Sequence, residues 1–159
     1  MNNVARVIAT WFGCGYAPKG PGTAGSLAAV VIAWLLYESI RITPFGVGLL
    51  GLLFLLPAIW SADVVAKVDG LKDPQIVVVD EVVGQWITLA GAMRLDLRPL
   101  NWKSFLLGFA LFRLFDIWKP WPVRSFEKLP GGTGIVMDDV MAGVYGALVL
   151  FAAGWFNLY

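Results

Sequence analysis

Long apolar runs alternate with short polar segments along the chain. Two runs carry no charged residue over a length that could cross a membrane, 21 residues at 42–62 and 20 residues at 140–159. A helix of about 20 apolar residues spans the hydrocarbon core of a bilayer, because each residue adds about 1.5 Å. Shorter apolar runs occupy residues 27–37, 82–93 and 104–112. The pattern predicts an all-α, polytopic membrane bundle with roughly five hydrophobic helices.

The polar segments between these runs include two that are rich in glycine and proline. Residues 1–12 are expected to form a short amphipathic helix that places Trp11 and Phe12 at a membrane interface. Residues 13–26 and 127–139 then follow the glycine and proline pattern of irregular structure. We therefore expect glycine-rich loops to lie between the helices and to converge on one membrane face.

Composition supports a membrane protein and narrows its chemistry. The 159 residues suggest a single domain over residues 1–159, with 58% apolar and only 14% charged residues and a mean hydropathy of +0.74. Soluble domains contain about 25% charged residues. A net charge of +1 gives no reason to expect a nucleic-acid partner, and the single cysteine excludes an intrachain disulfide. The chain has no histidine, which excludes a histidine nucleophile, base or metal ligand.

The alternation also predicts a topology. If the segments run up and down from a cytoplasmic N-terminus, positive charge is in excess on the cytoplasmic side. The cytoplasmic cations are Arg6, Lys19, Lys67, Lys72, Lys119, Arg124 and Lys128, and the opposite ones are Arg41, Arg94, Arg98 and Lys103. This topology brings four polar motifs to the cytoplasmic face: residues 21–26, 80–81, 116–119 and 138–139. We expect a functional site there.

One apolar segment, residues 112–124, carries charged side chains at regular intervals. Arg113, Asp116 and Lys119 recur every three residues, so on a helix a carboxylate lies between two cations along one broad face. Pro120 and Pro122 should end that helix. Two cations and an acid at a helix end suit a phosphorylated ligand. The alternative is an ordinary stripe of ion pairs.

Carboxylates occur as adjacent pairs at two other places. Asp80-Glu81 and Asp138-Asp139 each stand at the start of an apolar segment. Helix capping would explain one acid per helix, but two adjacent acids repel each other and exceed that need. With Asp116 the chain offers five carboxylates, which suggests a divalent cation. An all-oxygen site favours Mg²⁺ or Mn²⁺ over zinc.

The segment Gly20–Ser26 resembles an anion cradle, in which backbone N–H groups and the hydroxyls of Thr23 and Ser26 would face a phosphate. It lacks the lysine of a Walker loop, and a glycine-rich turn between helices is the alternative. Cys14 lacks the arginine spacing of a cysteine phosphatase. What remains is metal-assisted phosphate hydrolysis. The rival function is a small transporter or channel that uses intramembrane carboxylates.

Four motifs resemble one known family. They are Pro21-Gly-Thr-Ala-Gly-Ser26, Asp80-Glu-Val-Val-Gly84, Arg113-Leu-Phe-Asp-Ile-Trp-Lys-Pro-Trp-Pro122 and Gly134-Ile-Val-Met-Asp-Asp139. Together they resemble the bacterial phosphatidylglycerophosphatase A family over nearly the whole chain. The resemblance implies an all-α, Mg²⁺-dependent phosphatase of the bacterial inner membrane. It would act on phosphatidylglycerophosphate among the membrane lipids, and its oligomeric state is left open.

On this basis the candidate residues receive roles. The predicted metal ligands are Asp80, Glu81, Asp138 and Asp139. Asp116 is expected to act with them as a further ligand or as the base that orients the nucleophile. The predicted phosphate-binding residues are Thr23, Ser26, Arg113 and Lys119. Arg124 is expected to meet neighbouring anionic headgroups.

Overall fold

The computed structural model describes residues 3–93 and 101–159, which contain seven α-helices and no strand. The helices are α1 (Asn3–Ala9), α2 (Pro21–Ile40), α3 (Pro44–Asp69), α4 (Val79–Ala90), α5 (Trp102–Trp118), α6 (Val123–Phe126) and α7 (Gly131–Trp155). The all-α prediction is confirmed. Five of these helices have 12 residues or more, which is the number that the apolar runs predicted.

Three of the helices are long and apolar enough to cross a membrane: α2, α3 and α7. At 1.5 Å per residue, their 20 to 26 residues give lengths of about 30–39 Å. The charge-free runs predicted α3 and α7 as spans, and α2 is longer than its apolar run at residues 27–37. On α3, Leu52, Leu53 and Leu56 are between 58% and 75% exposed, as side chains that face lipid are.

Helix α4 lies at the centre of the bundle. Nine of its twelve residues are buried, and it packs against α2, α3, α5 and α7. Glycines allow the closest of these contacts: a Cβ atom on Gly143 would lie 2.5 Å from the carbonyl oxygen of Gly84. The backbones of α4 and α7 therefore touch directly, and no side chain separates them at this level.

Successive long helices run in opposite directions, as the topology predicted. At one end, Gly22 of α2 lies against Glu81 of α4. At the other end, the rings of Tyr37 and Phe105 lie 6.3 Å apart and join the end of α2 to the start of α5. The predicted outer cations Arg94 and Arg98 lie outside the described residues.

Of the two segments predicted as glycine-rich loops, residues 13–20 and 127–130 are irregular apart from one 3₁₀ turn, but the remaining residues are helical. Helix α2 begins at Pro21, directly after Gly20, whose φ is +58°, so residues 21–26 are helical. Proline suits the first helical position because its fixed φ is already helical and its missing N–H is not needed there. Neither Thr23 nor Ser26 therefore caps this helix, since both lie inside it.

Helix α7 likewise begins at Gly131, eight residues before Asp139, so most of the predicted loop 127–139 is helical. Glycine is required here because α3 passes close by. A Cβ atom on Gly132 would lie 2.1 Å from the carbonyl oxygen of Ile59. The Gly132 N–H donates to Asp63 Oδ1 at 3.2 Å, so a side chain of α3 caps α7.

The predicted N-terminal helix is present as α1, but only one of its two aromatic neighbours is exposed. Phe12 is 75% exposed, whereas Trp11 is 5% exposed. The Trp11 ring meets the rings of Phe54 and Trp86 edge to face, each at 5.5 Å between centroids. Trp11 is thus a core residue, and the prediction that it lies at an interface is wrong.

Candidate active site

A cavity of about 390 Å³ opens between the ends of α2, α4, α5 and α7. Its polar lining consists of Asp73, Gln75, Asp80, Glu81, Arg113, Asp116, Lys119, Asp138 and Asp139. Gly20, Pro21 and Gly22 form part of its wall. The four motifs that the topology brought to one face therefore meet in one cavity, together with all five predicted carboxylates.

Three of the carboxylates form a tight group at the cavity floor. One oxygen from each of Asp80, Glu81 and Asp139 lies within 4.8 Å of the other two. Asp80 is 6% exposed and Asp139 is 4% exposed. Asp80 Oδ1 and Glu81 Oε2 are buried without a hydrogen-bond donor. Buried anionic oxygens without donors fit a bound divalent cation, which would supply the missing positive charge.

The helices position this trio through glycine contacts. Asp80 and Glu81 lie in the first turn of α4, where Gly22 of α2 faces them: a Cβ atom on Gly22 would lie 1.9 Å from Glu81 Oε1. On the other side of α4, a Cβ atom on Gly84 would lie 2.6 Å from the carbonyl oxygen of Asp139. The close approach of α7 to α4 therefore carries Asp139 to the carboxylates of α4.

Burial makes these carboxylates costly to ionise. Asp80 and Glu81 lie in the first turn of α4, a 12-residue helix that is not one of the three candidate membrane spans. Burial, reinforced by the nearby Glu81 and Asp139 carboxylates, raises the pKa of Asp80 well above its ordinary value. Burial also raises the pKa of Glu81, against the opposing effect of Arg113. A cation at the trio would reverse this penalty.

Asp138 has a different partner from Asp139. Its Oδ2 accepts a hydrogen bond from Lys119 Nζ at 2.7 Å, and the same ammonium group donates to Glu127 Oε1 at 2.6 Å. Burial opposes the charge on Lys119, but the bonds to Asp138 and Glu127 outweigh it and raise the pKa of Lys119 above its ordinary value. Of the four predicted metal ligands, Asp138 is the one that lies outside the trio.

The predicted stripe on α5 is present, and it lies on the cavity wall. Arg113 Nη1 lies 2.6 Å from Asp116 Oδ2, an ion pair between residues three apart. Asp116 also interacts with the side chain of Asp139. Helix α5 ends at Trp118, as the prolines predicted, and Lys119 follows with a φ of +47°. Arg113 and Lys119 thus place two cations beside the trio.

The two predicted hydroxyl contacts are not part of this lining. Ser26 is fully buried, and its hydroxyl donates to the carbonyl oxygen of Gly22 at 3.0 Å. Thr23 is exposed on the first turns of α2. Sequence reasoning missed Asp73 and Gln75, which line the cavity from the α3–α4 connection, and Glu127, which binds Lys119. None of these three carries a motif that would have singled it out.

Comparisons with known proteins indicate the family of the chain. The family model described as Phosphatidylglycerophosphatase A matches residues 7–154. The chain is 36% identical to phosphatidylglycerophosphatase A of Escherichia coli K12, over 97% of this chain and 86% of the relative. It is 38% identical to phosphatidylglycerophosphatase A of Haemophilus influenzae, over 98% of this chain and 92% of the relative.

A third relative has a different substrate in its name. The chain is 42% identical to a Bacteroides thetaiotaomicron protein provisionally named a phosphatidylinositol-3-phosphatase, over 94% of this chain and 92% of the relative. No solved structure gives a significant match. All three names describe removal of a phosphate from a phospholipid headgroup.

Proposed function

Because the chain belongs to the phosphatidylglycerophosphatase A family, we propose that it hydrolyses phosphatidylglycerophosphate to phosphatidylglycerol and inorganic phosphate in phospholipid biosynthesis. The family is one of enzymes, which favours catalysis over the alternative of a transporter or channel. The observation that carries the proposal is the cavity itself, in which two buried carboxylates and one half-buried carboxylate lie beside two cationic side chains. Such a site can hold a phosphate monoester and stabilise the negative charge that develops on the phosphoryl group during hydrolysis.

We propose that Asp80, Glu81 and Asp139 hold Mg²⁺. When bound, Mg²⁺ would polarise the phosphoryl group and lower the pKa of water. The support is the donor set: carboxylate oxygens only, buried, with at least two of them lacking any hydrogen-bond donor. Asp138 is left out of this set because it lies outside the trio and its Oδ2 accepts from Lys119, although its Oδ1 is also buried without a donor.

The cationic residues would bind the phosphate oxygens. Lys119 has three N–H donors and uses two of them on Asp138 and Glu127, so one remains for a phosphate. Arg113 has five donors, and its pairing with Asp116 leaves several for a second oxygen. Both charges would stabilise the negative charge that grows on the transferring group. Asp116, beside Asp139, would accept the proton of the attacking water and so orient it.

We also propose the setting of this reaction. The three apolar helices support a multi-pass protein, and the relatives are bacterial. A cavity at one end of the bundle suits a phospholipid whose acyl chains stay in the bilayer while its phosphate enters the protein. The excess of cations at that end supports a site that faces the cytoplasm across the inner membrane.

A second candidate substrate comes from the Bacteroides relative, whose name specifies phosphatidylinositol 3-phosphate. Both substrates offer a phosphate monoester on a phospholipid headgroup, and the described cavity lining contains no group that would select glycerol over inositol by itself. The two candidates therefore differ in headgroup, and the chemistry is the same for both.

Phosphate release by the detergent-purified protein tests these proposals. The substrates are phosphatidylglycerophosphate and phosphatidylinositol 3-phosphate, each with Mg²⁺, with EDTA, and with Mg²⁺ restored after EDTA. We expect release from phosphatidylglycerophosphate that EDTA abolishes and Mg²⁺ restores. Faster release from the inositol lipid would make phosphatidylinositol 3-phosphate the preferred substrate in place of phosphatidylglycerophosphate. Release that EDTA does not reduce would overturn the metal proposal.

A further inference from the structure

The last turn of α5 and the turn after it carry exposed apolar side chains close to the cavity residue Lys119. Ile117, Trp118 and Trp121, which we call the aromatic shelf, are 72%, 62% and 84% exposed. Lys119 lies between the two tryptophans in the sequence and reaches Asp138 at 2.7 Å. The short segment 117–121 therefore contributes both the shelf and, through Lys119, part of the cavity lining.

Contacts hold two parts of the shelf, the Trp118 ring and the Trp121 backbone. The Trp118 ring stacks on Phe115 at 6.3 Å between centroids, with 21° between the ring planes. Phe115 in turn meets Tyr145 of α7 edge to face at 5.6 Å. The Tyr145 hydroxyl donates to the carbonyl oxygen of Trp121 at 3.1 Å. Helix α7, which carries Asp138 and Asp139, thus holds the shelf in place.

The other end of α5 indicates what covers the shelf. Trp102 begins this helix, is 69% exposed, and is 16 residues from Trp118. That separation is about 24 Å along the helix axis. Tryptophans are enriched at the two membrane–water interfaces, where the ring is apolar and its N–H is wet. Exposed tryptophans at both ends of α5, about 24 Å apart against about 30 Å for the hydrocarbon core, support a position of the shelf near the interface on the cavity side.

We propose that the aromatic shelf is the surface against which the phospholipid substrate lies, with its glycerol backbone and upper acyl chains on Trp118 and Trp121 while its phosphate reaches the carboxylate trio. This inference rests on the proposed function. The occupant is a phospholipid because the shelf is apolar, lies at interface depth and adjoins a phosphate-binding cavity. Arg124, exposed on the next turn, supplies a positive charge that suits an anionic lipid.

A kinetic comparison tests the shelf. Trp118→Ala and Trp121→Ala are assayed with long-chain phosphatidylglycerophosphate in vesicles and with glycerol phosphate, a water-soluble phosphate monoester that lacks the diacylglycerol. Trp102→Ala, at the opposite end of α5, is the matched control. We expect KM for the vesicle substrate to rise about fivefold in the shelf variants, with kcat and the kinetics on glycerol phosphate unchanged. Unchanged KM, equal losses on both substrates, or the same effect from Trp102→Ala would overturn the inference.

A depth measurement tests the same surface without turnover. Cys14 is the only cysteine, so Cys14→Ala allows a single nitroxide label at Trp121→Cys, with Lys128→Cys as an exposed control. In vesicles we expect the label at 121 to collide mainly with oxygen and the label at 128 mainly with a water-soluble nickel chelate. A label at 121 that meets the chelate, or that a protein partner shields from both, would overturn the inference. A wild-type protein that hydrolyses neither lipid would instead overturn the proposed function and leave this result standing.

Discussion

Two pairs of adjacent carboxylates look alike in the sequence and differ in the folded chain. Asp80 and Glu81 point to the same place, where their oxygens meet one oxygen of Asp139 within 4.8 Å. Asp138 and Asp139 separate: Asp139 completes that trio, and Asp138 binds the ammonium group of Lys119. One pair supplies two members of the trio, and the other supplies one member and one anchor for a cation.

The difference follows from where each pair lies in its helix. Asp80 and Glu81 occupy the first turn of α4, where the cavity opens above both side chains. Asp138 and Asp139 lie in the third turn of α7, with helix on both sides of them. Neighbouring residues on a helix point about 100° apart. Deep in α7, that angle sends one side chain toward α4 and the other toward the end of α5.

The largest effect is expected from Asp139→Asn. This variant keeps the shape of the side chain but removes one negative charge from the trio, so we expect kcat to fall about a thousandfold and the Mg²⁺ dependence to weaken. Phosphate release over a Mg²⁺ titration measures both. Circular dichroism and gel filtration check folding. Full activity in a folded Asp139→Asn protein would show that the trio is not the reacting centre.

Asp138→Asn is expected to have a smaller and different effect. Lys119 would keep only Glu127 as an anionic partner, so its ammonium group would be less well placed for the phosphate. We expect kcat/KM to fall about thirtyfold, with the Mg²⁺ titration midpoint unchanged. Lys119→Gln, alone and combined with Asp138→Asn, completes a double-mutant cycle. The free-energy loss in the double variant should be smaller than the sum of the two single-variant losses. A shifted Mg²⁺ midpoint would place Asp138 among the metal ligands after all.

Gly22→Ala should give the smallest effect, and it acts on the other pair. The added Cβ atom would lie 1.9 Å from Glu81 Oε1, so the carboxylate must move. Because that oxygen is at the end of a flexible side chain, we expect about a fivefold weaker apparent Mg²⁺ affinity and little loss of stability. Gly46→Ala, in the first turn of α3 and remote from the cavity, is the control. Equal changes in both variants would assign the effect to helix stability.

The sequence predicted which charged residues lie together better than it predicted the helix boundaries. Apolar runs and their polar ends can be recognised from local composition. Their alternation along the chain therefore predicted that all five acids, Arg113 and Lys119 lie on one face. The predicted loops at residues 13–26 and 127–139 were wrong for residues 21–26 and 131–139, because glycine also permits close helix contacts, and only the folded chain shows that α3 needs this at Gly132. The separate partners of Asp138 and Asp139 depend on where α7 begins.

Glu127 shows a further limit. It lies in the connection between α6 and α7, and no motif or periodicity marks it. Its contact with Lys119, 2.6 Å long, depends on the path of the chain after the prolines. Sequence patterns predict which residues share a helix face, but they carry little information on how an irregular turn folds back on a neighbouring helix.

The direct contact of α4 and α7 at Gly84 and Gly143 has a consequence for the choice of ion. Backbones that already touch cannot move closer, and the helices that pack around α4 keep it from moving away. The separation of the backbones that carry the three carboxylates is therefore set by the bundle, and side-chain rotation can adjust the oxygens only within that limit. Mg²⁺ binds oxygen at about 2.0–2.1 Å and Ca²⁺ at about 2.3–2.6 Å, although both accept the same ligands. A cation at this trio would be selected by its radius, through contacts between glycines that never touch it.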